Sequence, residues 1–211
     1  MRMRIIREPV NFYTHVIPAI LAIPGTFLLL MRADTQSQCT AAWIYGICTF
    51  VLFGISSTYH SYPVTQKEIR FWQKFDHCCI YLMIAGSYTP TALLVFDGYI
   101  KWSLFAMIWA IAIAGCVLKI FNRLKNTALS LTIYIAMGAL IVPLLSEMSE
   151  KLPFSAIGLM LLGGLFYAGG TFFYYKDKLI GKLLHSHEIW HLFVVAGAVS
   201  HYVYNYFYLF V

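Results

Sequence analysis

Charge is what this sequence has least of. Asp, Glu, Lys and Arg make up 11% of its 211 residues, against roughly 25% in a soluble domain. Hydrophobic residues reach 60% and the mean hydropathy is +0.71. The deficit excludes a soluble globular domain and points to an integral membrane protein. Acidic residues are scarcest, 9 against 15 Lys and Arg. The net charge of +6 falls mainly between apolar runs, so it reads as membrane topology and excludes a nucleic-acid-binding patch. Linkers, low-complexity stretches and sequence repeats are absent, and residues 1–211 read as one membrane domain. Cysteine gives no disulfide framework: Cys78 and Cys79 are adjacent, Cys48 and Cys116 lie inside apolar runs, and all five, with Cys39, read as small buried hydrophobes. The basic start, Met1–Arg7, has the look of a signal peptide. Glu8, Asn11 and His15 interrupt the apolar region that should follow, and no small-x-small cleavage site precedes Met31. The first run is therefore read as a retained helix.

What is present is a series of seven apolar segments, at about 11–31, 40–60, 77–96, 101–119, 127–146, 154–175 and 187–209. Each approaches the ~20 residues a helix needs to span a bilayer. The runs are continuous and about twice too long for barrel strands, which predicts an all-α seven-helix bundle. The connections set its orientation. Arg2, Arg4 and Arg7 precede the first segment, and Lys67, Arg70 and Lys74 follow the second. Lys119, Arg123 and Lys125 follow the fourth, and Lys176, Lys178 and Lys182 follow the sixth. Only Arg32, Lys101 and Lys151 fall on the other side. The positive-inside rule places the N-terminus in the cytoplasm and the C-terminus outside, the reverse of a G-protein-coupled receptor. The tyrosines of 202–208 read as an aromatic belt at the outer interface. Gly158, Gly163, Gly164, Gly169 and Gly170 read as close-packing positions of the sixth segment.

Polar groups in hydrocarbon are costly, so each is a candidate for function. With this orientation, His187 and His191 lie at the cytoplasmic end of the seventh segment. His60 lies at the same end of the second, Asp76 at the start of the third, and Glu8, Asn11 and His15 at the start of the first. Four helices thus bring their polar residues to one membrane depth. Spacing agrees: His187 and His191, like Ser56 and His60, are i, i+4, and Glu8, Asn11 and His15 are i, i+3, i+7.

Three imidazoles, His60, His187 and His191, make a catalytic-type zinc site with a fourth position open. Zinc lowers the pKa of its water to about 7. Asp76 is placed to accept the proton, and Ser56 to hydrogen-bond the water or a developing oxyanion. Bland readings stand beside these. A helical histidine is commonly a satisfied core residue, and Asp76 has a second reading as an interfacial charge paired with Lys74. Glu8, Asn11 and His15 are read as a bracing hydrogen-bond network, His201 as a buried hydrogen bond, and His185 and His77 as interfacial or supporting.

His187-Glu188-Ile189-Trp190-His191 also matches H-E-x-x-H. The extended metzincin form needs Gly and His at positions occupied by Val194 and Gly197. No acidic residue follows Glu188 either, so the protease frame is rejected.

At these positions the chain resembles the progestin and adipoQ receptor family: Glu8-x-x-Asn11-x-x-x-His15, Ser56-x-x-x-His60 followed by Asp76, and His187-x-x-x-His191 look like its three motifs. More closely it resembles the bacterial branch, the hemolysin III proteins. That likeness rests on Ser57-Thr58-Tyr59-His60, Asp76-His77, Ile84-Ala85-Gly86-Ser87-Tyr88-Thr89-Pro90, Gly163-Gly164-Leu165-Phe166-Tyr167 and Ile189-Trp190-His191-Leu192-Phe193. The resemblance implies seven helices, a cytoplasmic N-terminus, and zinc on His60, His187 and His191 with Asp76 and Ser56 beside it. The wider superfamily includes alkaline ceramidases. The expectation is therefore a zinc-dependent intramembrane hydrolase of a lipid amide or ester, with membrane lipids as its partners, in a bacterial inner membrane and acting in lipid homeostasis. The alternative is a non-enzymatic fluidity sensor or haemolytic pore in which zinc braces the bundle.

Overall fold

The computed structural model describes residues 6–62, 64–176, 179–180 and 184–211. Arg2, Arg4, Lys178 and Lys182, four of the basic residues that set the expected orientation, lie outside the described residues. The chain is helical almost throughout. In order come α1 (Pro9–Leu30), α2 (Gln36–Ser61), α3 (Gln66–Leu94), α4 (Gly98–Ile120), α5 (Thr127–Ala139), a 3₁₀ turn (Val142–Leu144), α6 (Leu145–Lys151), α7 (Phe154–Lys176) and α8 (Ser186–Tyr204). A π turn, Asn205–Leu209, continues α8, and the two-residue strands β1 (Leu179–Ile180) and β2 (Leu184–His185) pair antiparallel before it. Among the described residues, α1, α2, α4, α7 and the α5–α6 span Thr127–Lys151 are long and apolar enough to cross a membrane. The chain is thus a multi-pass membrane protein.

The apolar runs gave the helices but not all their limits. The third segment, expected from residue 77, begins at Gln66. Its start is a capping box: the Glu68 amide donates to Thr65 Oγ1 at 3.3 Å, and the Thr65 amide donates to Glu68 Oε2 at 2.9 Å. The eleven added residues, 66–76, are mostly polar or charged and so carry no apolar run. The fifth segment, expected as one helix over 127–146, is interrupted after Ala139 and resumes to Lys151. Pro143 has no amide for the helical ladder. The Tyr88 hydroxyl of α3 enters the break, donating to the Gly138 carbonyl at 2.7 Å and accepting from the Ile141 amide at 3.0 Å. In a bilayer those backbone groups have no water to turn to, so this side chain makes the interruption tolerable.

Sequential helices pack as pairs, α1 on α2, α2 on α3, α3 on α4 and α7 on α8. Contacts of α1 with α8, and of α5 with α3 and α7, close a ring of α1, α2, α3, α5, α7 and α8, with α4 outside on α3. The glycines of α7 divide by face. A Cβ at Gly163 would overlap the His201 ring, and one at Gly170 would press on Trp190, so both let α7 lie against α8. Gly158 and Gly164 have nothing close enough for that role. α5 touches its neighbours lightly, and between it, α3, α7 and α8 lies a cavity of about 300 Å³.

Candidate metal centre

α8 starts with Glu188 closing its own N-terminus: the carboxylate Oε2 accepts from the His185 amide at 2.9 Å. Glu188 therefore serves the first turn of the helix, which explains its place in the H-E-x-x-H pattern without a catalytic role. His187 and His191 then stand one turn apart, and the last turn of α2 brings His60 between them. Ring centroids lie 5.2 Å from His60 to His187, 4.8 Å from His60 to His191 and 4.9 Å from His187 to His191. One nitrogen from each falls within 4.8 Å of the others, close enough to hold a metal ion. His60 and His191 are each only 1% exposed, so the donor set sits in a desolvated pocket.

The Nδ1 atoms of His60 and His191 are held from outside the cluster. Glu8 Oε2 accepts from His60 Nδ1 at 2.7 Å, which puts the ring proton on Nδ1 and leaves the Nε2 lone pair facing inward. That Nε2 is buried and has no hydrogen-bond partner. A metal ion satisfies such an atom, so these residues fit one. Asn11 Nδ2 donates to the same Glu8 oxygen at 2.9 Å, and Arg7 Nη2 pairs with Glu8 Oε1 at 2.9 Å. Burial works against charge on Glu8, but the hydrogen bonds from His60 and Asn11 and the Arg7 guanidinium prevail and hold its carboxyl below the usual range. Backbone contacts lock the strap: the Glu8 amide donates to the His60 carbonyl at 3.0 Å, and Arg7 Nη2 to the Tyr59 carbonyl at 2.9 Å.

His191 is oriented from the same helix. Its Nδ1 lies 3.1 Å from Thr14 Oγ1, whose own proton goes to the Val10 carbonyl at 2.9 Å. The Thr14 hydroxyl thus accepts from Nδ1, and Nε2 of His191 is left as a donor atom for the centre. His15 lies flat on the His191 ring, centroids 3.6 Å apart, with Phe53 edge-on at 5.0 Å. Thr14 is the residue that sequence reasoning missed. Its signal was available, three positions after Asn11 on the polar stripe of α1.

The other expected residues separate. Ser56 is buried one turn from His60 on the same face of α2. Asp76 is half-buried on α3 and stands outside the cluster of ligand nitrogens. No Asp76–Lys74 ion pair exists among the described residues, and the Lys74 ammonium instead lies 3.5 Å from the Ile120 carbonyl. His77 Nε2 lies 3.0 Å from the Tyr174 hydroxyl, and the Tyr174 ring leans on His187 at 5.7 Å. His201 Nε2 donates to the Met160 carbonyl at 3.0 Å, far along α8 from the cluster.

The cavity runs beside α8 from Trp190 through Val194 to His201, and His60, His187 and His191 are not among the residues that line it. Leu52, Met83 and Ile84 typify its wall. Its volume sits at the lower end of the ~300–1,000 Å³ of small-molecule sites.

Loss of the Glu8 carboxylate strips His60 of its Nδ1 acceptor. Glu8→Ala is expected to weaken metal affinity by about 10–100-fold, the range for partners of a ligating histidine. A competition titration against a chromogenic chelator reads it.

Comparison with known proteins places the chain among relatives. A family model described as haemolysin-III related matches residues 3–202. The chain is 38% identical over 194 residues to Hemolysin-3 of Bacillus cereus, covering 90% of this chain and 86% of that protein. It is 33% identical over 201 residues to a Hemolysin-3 homolog of Bacillus subtilis (strain 168), covering 92% and 90%. It is 30% identical over 196 residues to the human monocyte to macrophage differentiation factor, covering 91% and 80%.

Proposed function

The chain belongs to the haemolysin-III-related family, and from that membership and the histidine centre we propose a zinc-dependent intramembrane hydrolase acting on a lipid amide or ester. One observation carries the reading: three imidazoles converge with one nitrogen each, two of them fixed from behind by Glu8 and Thr14. Three nitrogen ligands with no fourth side chain is the donor set of catalytic rather than structural zinc. A zinc ion held there would supply a water of pKa about 7, and hence a nucleophile at neutral pH.

The chain's own residues do the rest. His60, His187 and His191 would hold the ion, Glu8 and Thr14 set two of those rings, and Asp76 would serve as the proton acceptor. Ser56 donates a hydrogen bond to the oxygen that gains charge as the carbonyl is attacked. The apolar cavity receives an acyl chain beside His191 and keeps bulk water from the reacting carbon.

In this reading the helices make seven spans, with α5 and α6 sharing one. The N-terminus and the centre face the cytoplasm of a bacterial inner membrane. The early start of α3 fits, because it adds Lys67, Arg70 and Lys74 to helix on the side already rich in cations. Its product would feed membrane-lipid homeostasis.

The relatives' name raises a pore instead. A pore needs a continuous polar path. Here the clustered polar residues give way to an apolar cavity, which favours lipid binding over conduction.

The purified protein, loaded with zinc and incubated with a bacterial lipid extract, is expected to release free fatty acid measurable by mass spectrometry. Release that is absent with zinc bound would overturn the hydrolase reading and leave a protein in which the ion braces the bundle.

A further inference from the structure

The cavity is lined by several polar side chains, and nearly all have partners within the protein. Ser87 Oγ donates to the Ile84 carbonyl at 2.9 Å, Thr171 Oγ1 to the Ala168 carbonyl at 2.6 Å, and Tyr134 Oη to the His77 carbonyl at 3.2 Å. Thr91 Oγ1 meets Tyr204 Oη at 3.2 Å, and Tyr88 Oη closes the α5 break. Two lining residues differ. Tyr167 Oη and His201 Nδ1 are buried and have no hydrogen-bond partner. The rings stand together, centroids 5.5 Å apart and edge to face.

The chemistry of this pair is complementary. His201 uses its Nε2 proton on the Met160 carbonyl, so Nδ1 offers a lone pair. Tyr167 offers an O–H and accepts only at the same oxygen. A ligand carbonyl or carboxylate answers the tyrosine alone, and an ammonium answers the histidine alone. A hydroxyl answers both, donating to Nδ1 and accepting from Tyr167. Leaving either group unpaired is costly in a dry interior.

We propose that the cavity selects an acyl chain bearing a mid-chain hydroxyl, which bridges Tyr167 and His201 while the carbonyl lies at the histidine centre. This rests on the lipid-hydrolase reading and specifies its substrate class. Tyr167 packs on Gly197, six residues beyond His191, and His201 is ten beyond it. At 1.5 Å per residue these levels lie about 9 and about 15 Å along α8. An extended chain advances ~3.3–3.6 Å over three backbone bonds. The hydroxyl therefore falls between roughly the eighth and thirteenth bond from the carbonyl.

The test is a binding assay that needs no turnover. Wild-type protein in detergent is titrated with octadecanoate, 3-hydroxyoctadecanoate, 10-hydroxyoctadecanoate and 12-hydroxyoctadecanoate, each competing against a fluorescent fatty acid. The 10- or 12-hydroxy acid is expected to compete at least about tenfold better than octadecanoate, the effect of satisfying a buried pair. The 3-hydroxy acid, with its hydroxyl near the carboxylate, should match octadecanoate. Tyr167→Phe keeps the ring against Gly197 and removes only the hydroxyl, and should bring the preference to within about twofold. Ser87→Ala, at a cavity hydroxyl already satisfied, should leave it intact. Equal competition by all four acids in the wild type overturns the proposal and assigns the pair to an enclosed water. A preference that survives Tyr167→Phe also overturns it. Fatty-acid release without this preference defeats the inference alone, whereas the preference without release defeats the hydrolase reading alone.

Discussion

His191→Ala is expected to purify with less than about a tenth of an equivalent of zinc and to lose at least a hundredfold in turnover. Loss of a ligand's supporting partner costs about 10–100-fold in affinity or activity, and a ligand itself weighs more. His191 supplies one of only three nitrogens, and no carboxylate among the described residues joins the cluster to replace it. Its site is 1% exposed, so compensation by bulk water is limited. The substitution also removes the ring on which His15 stacks and the partner of Thr14. Loss of fold must therefore be separated from loss of metal. Circular dichroism of the variant checks the helices, and His185→Ala provides the control. His185 is exposed at the start of α8 and lies outside the cluster, so its loss should leave metal content unchanged.

Asp76→Ala separates proton handling from metal holding. Turnover is expected to fall about 10²–10⁴-fold, the range for a positioned general base, while zinc stays bound. Asp76 stands outside the cluster of ligand nitrogens, and His60 and His191 keep their partners Glu8 and Thr14 without it. Parallel measurement of metal content and fatty-acid release decides the point. Coordinated loss of zinc would make Asp76 a ligand. Unchanged turnover would return it to an interfacial charge with no part in the reaction.

Much of this arrangement was legible because bilayers impose coarse rules. Apolar length locates helices, and the expense of a buried polar group makes His15, His60 and His191 conspicuous wherever they occur. Spacing alone put His187 and His191 on one face. Contacts between elements were less visible. Pro143 announces a break in the fifth segment, but nothing in the order of residues says that Tyr88, over fifty positions earlier, plugs it. Thr14 follows Asn11 on the polar stripe of α1, but only the packing of α1 on α8 brings it to His191. The Thr65–Glu68 box was readable, and attention to apolar length obscured it. Glu188 is the converse case: its motif suggests chemistry, the sequence after it already excludes the protease frame, and its local geometry assigns it to helix capping.

The central claim is that His60, His187 and His191 hold one metal ion together. Metal analysis of the purified protein by inductively coupled plasma mass spectrometry tests it most directly, after equilibration with one equivalent of zinc and removal of free ion. About one zinc per chain is expected for the wild type, and almost none when His60 and His187 are both changed to Ala. A wild type that retains no zinc, or a double variant that retains a full equivalent, would contradict the account.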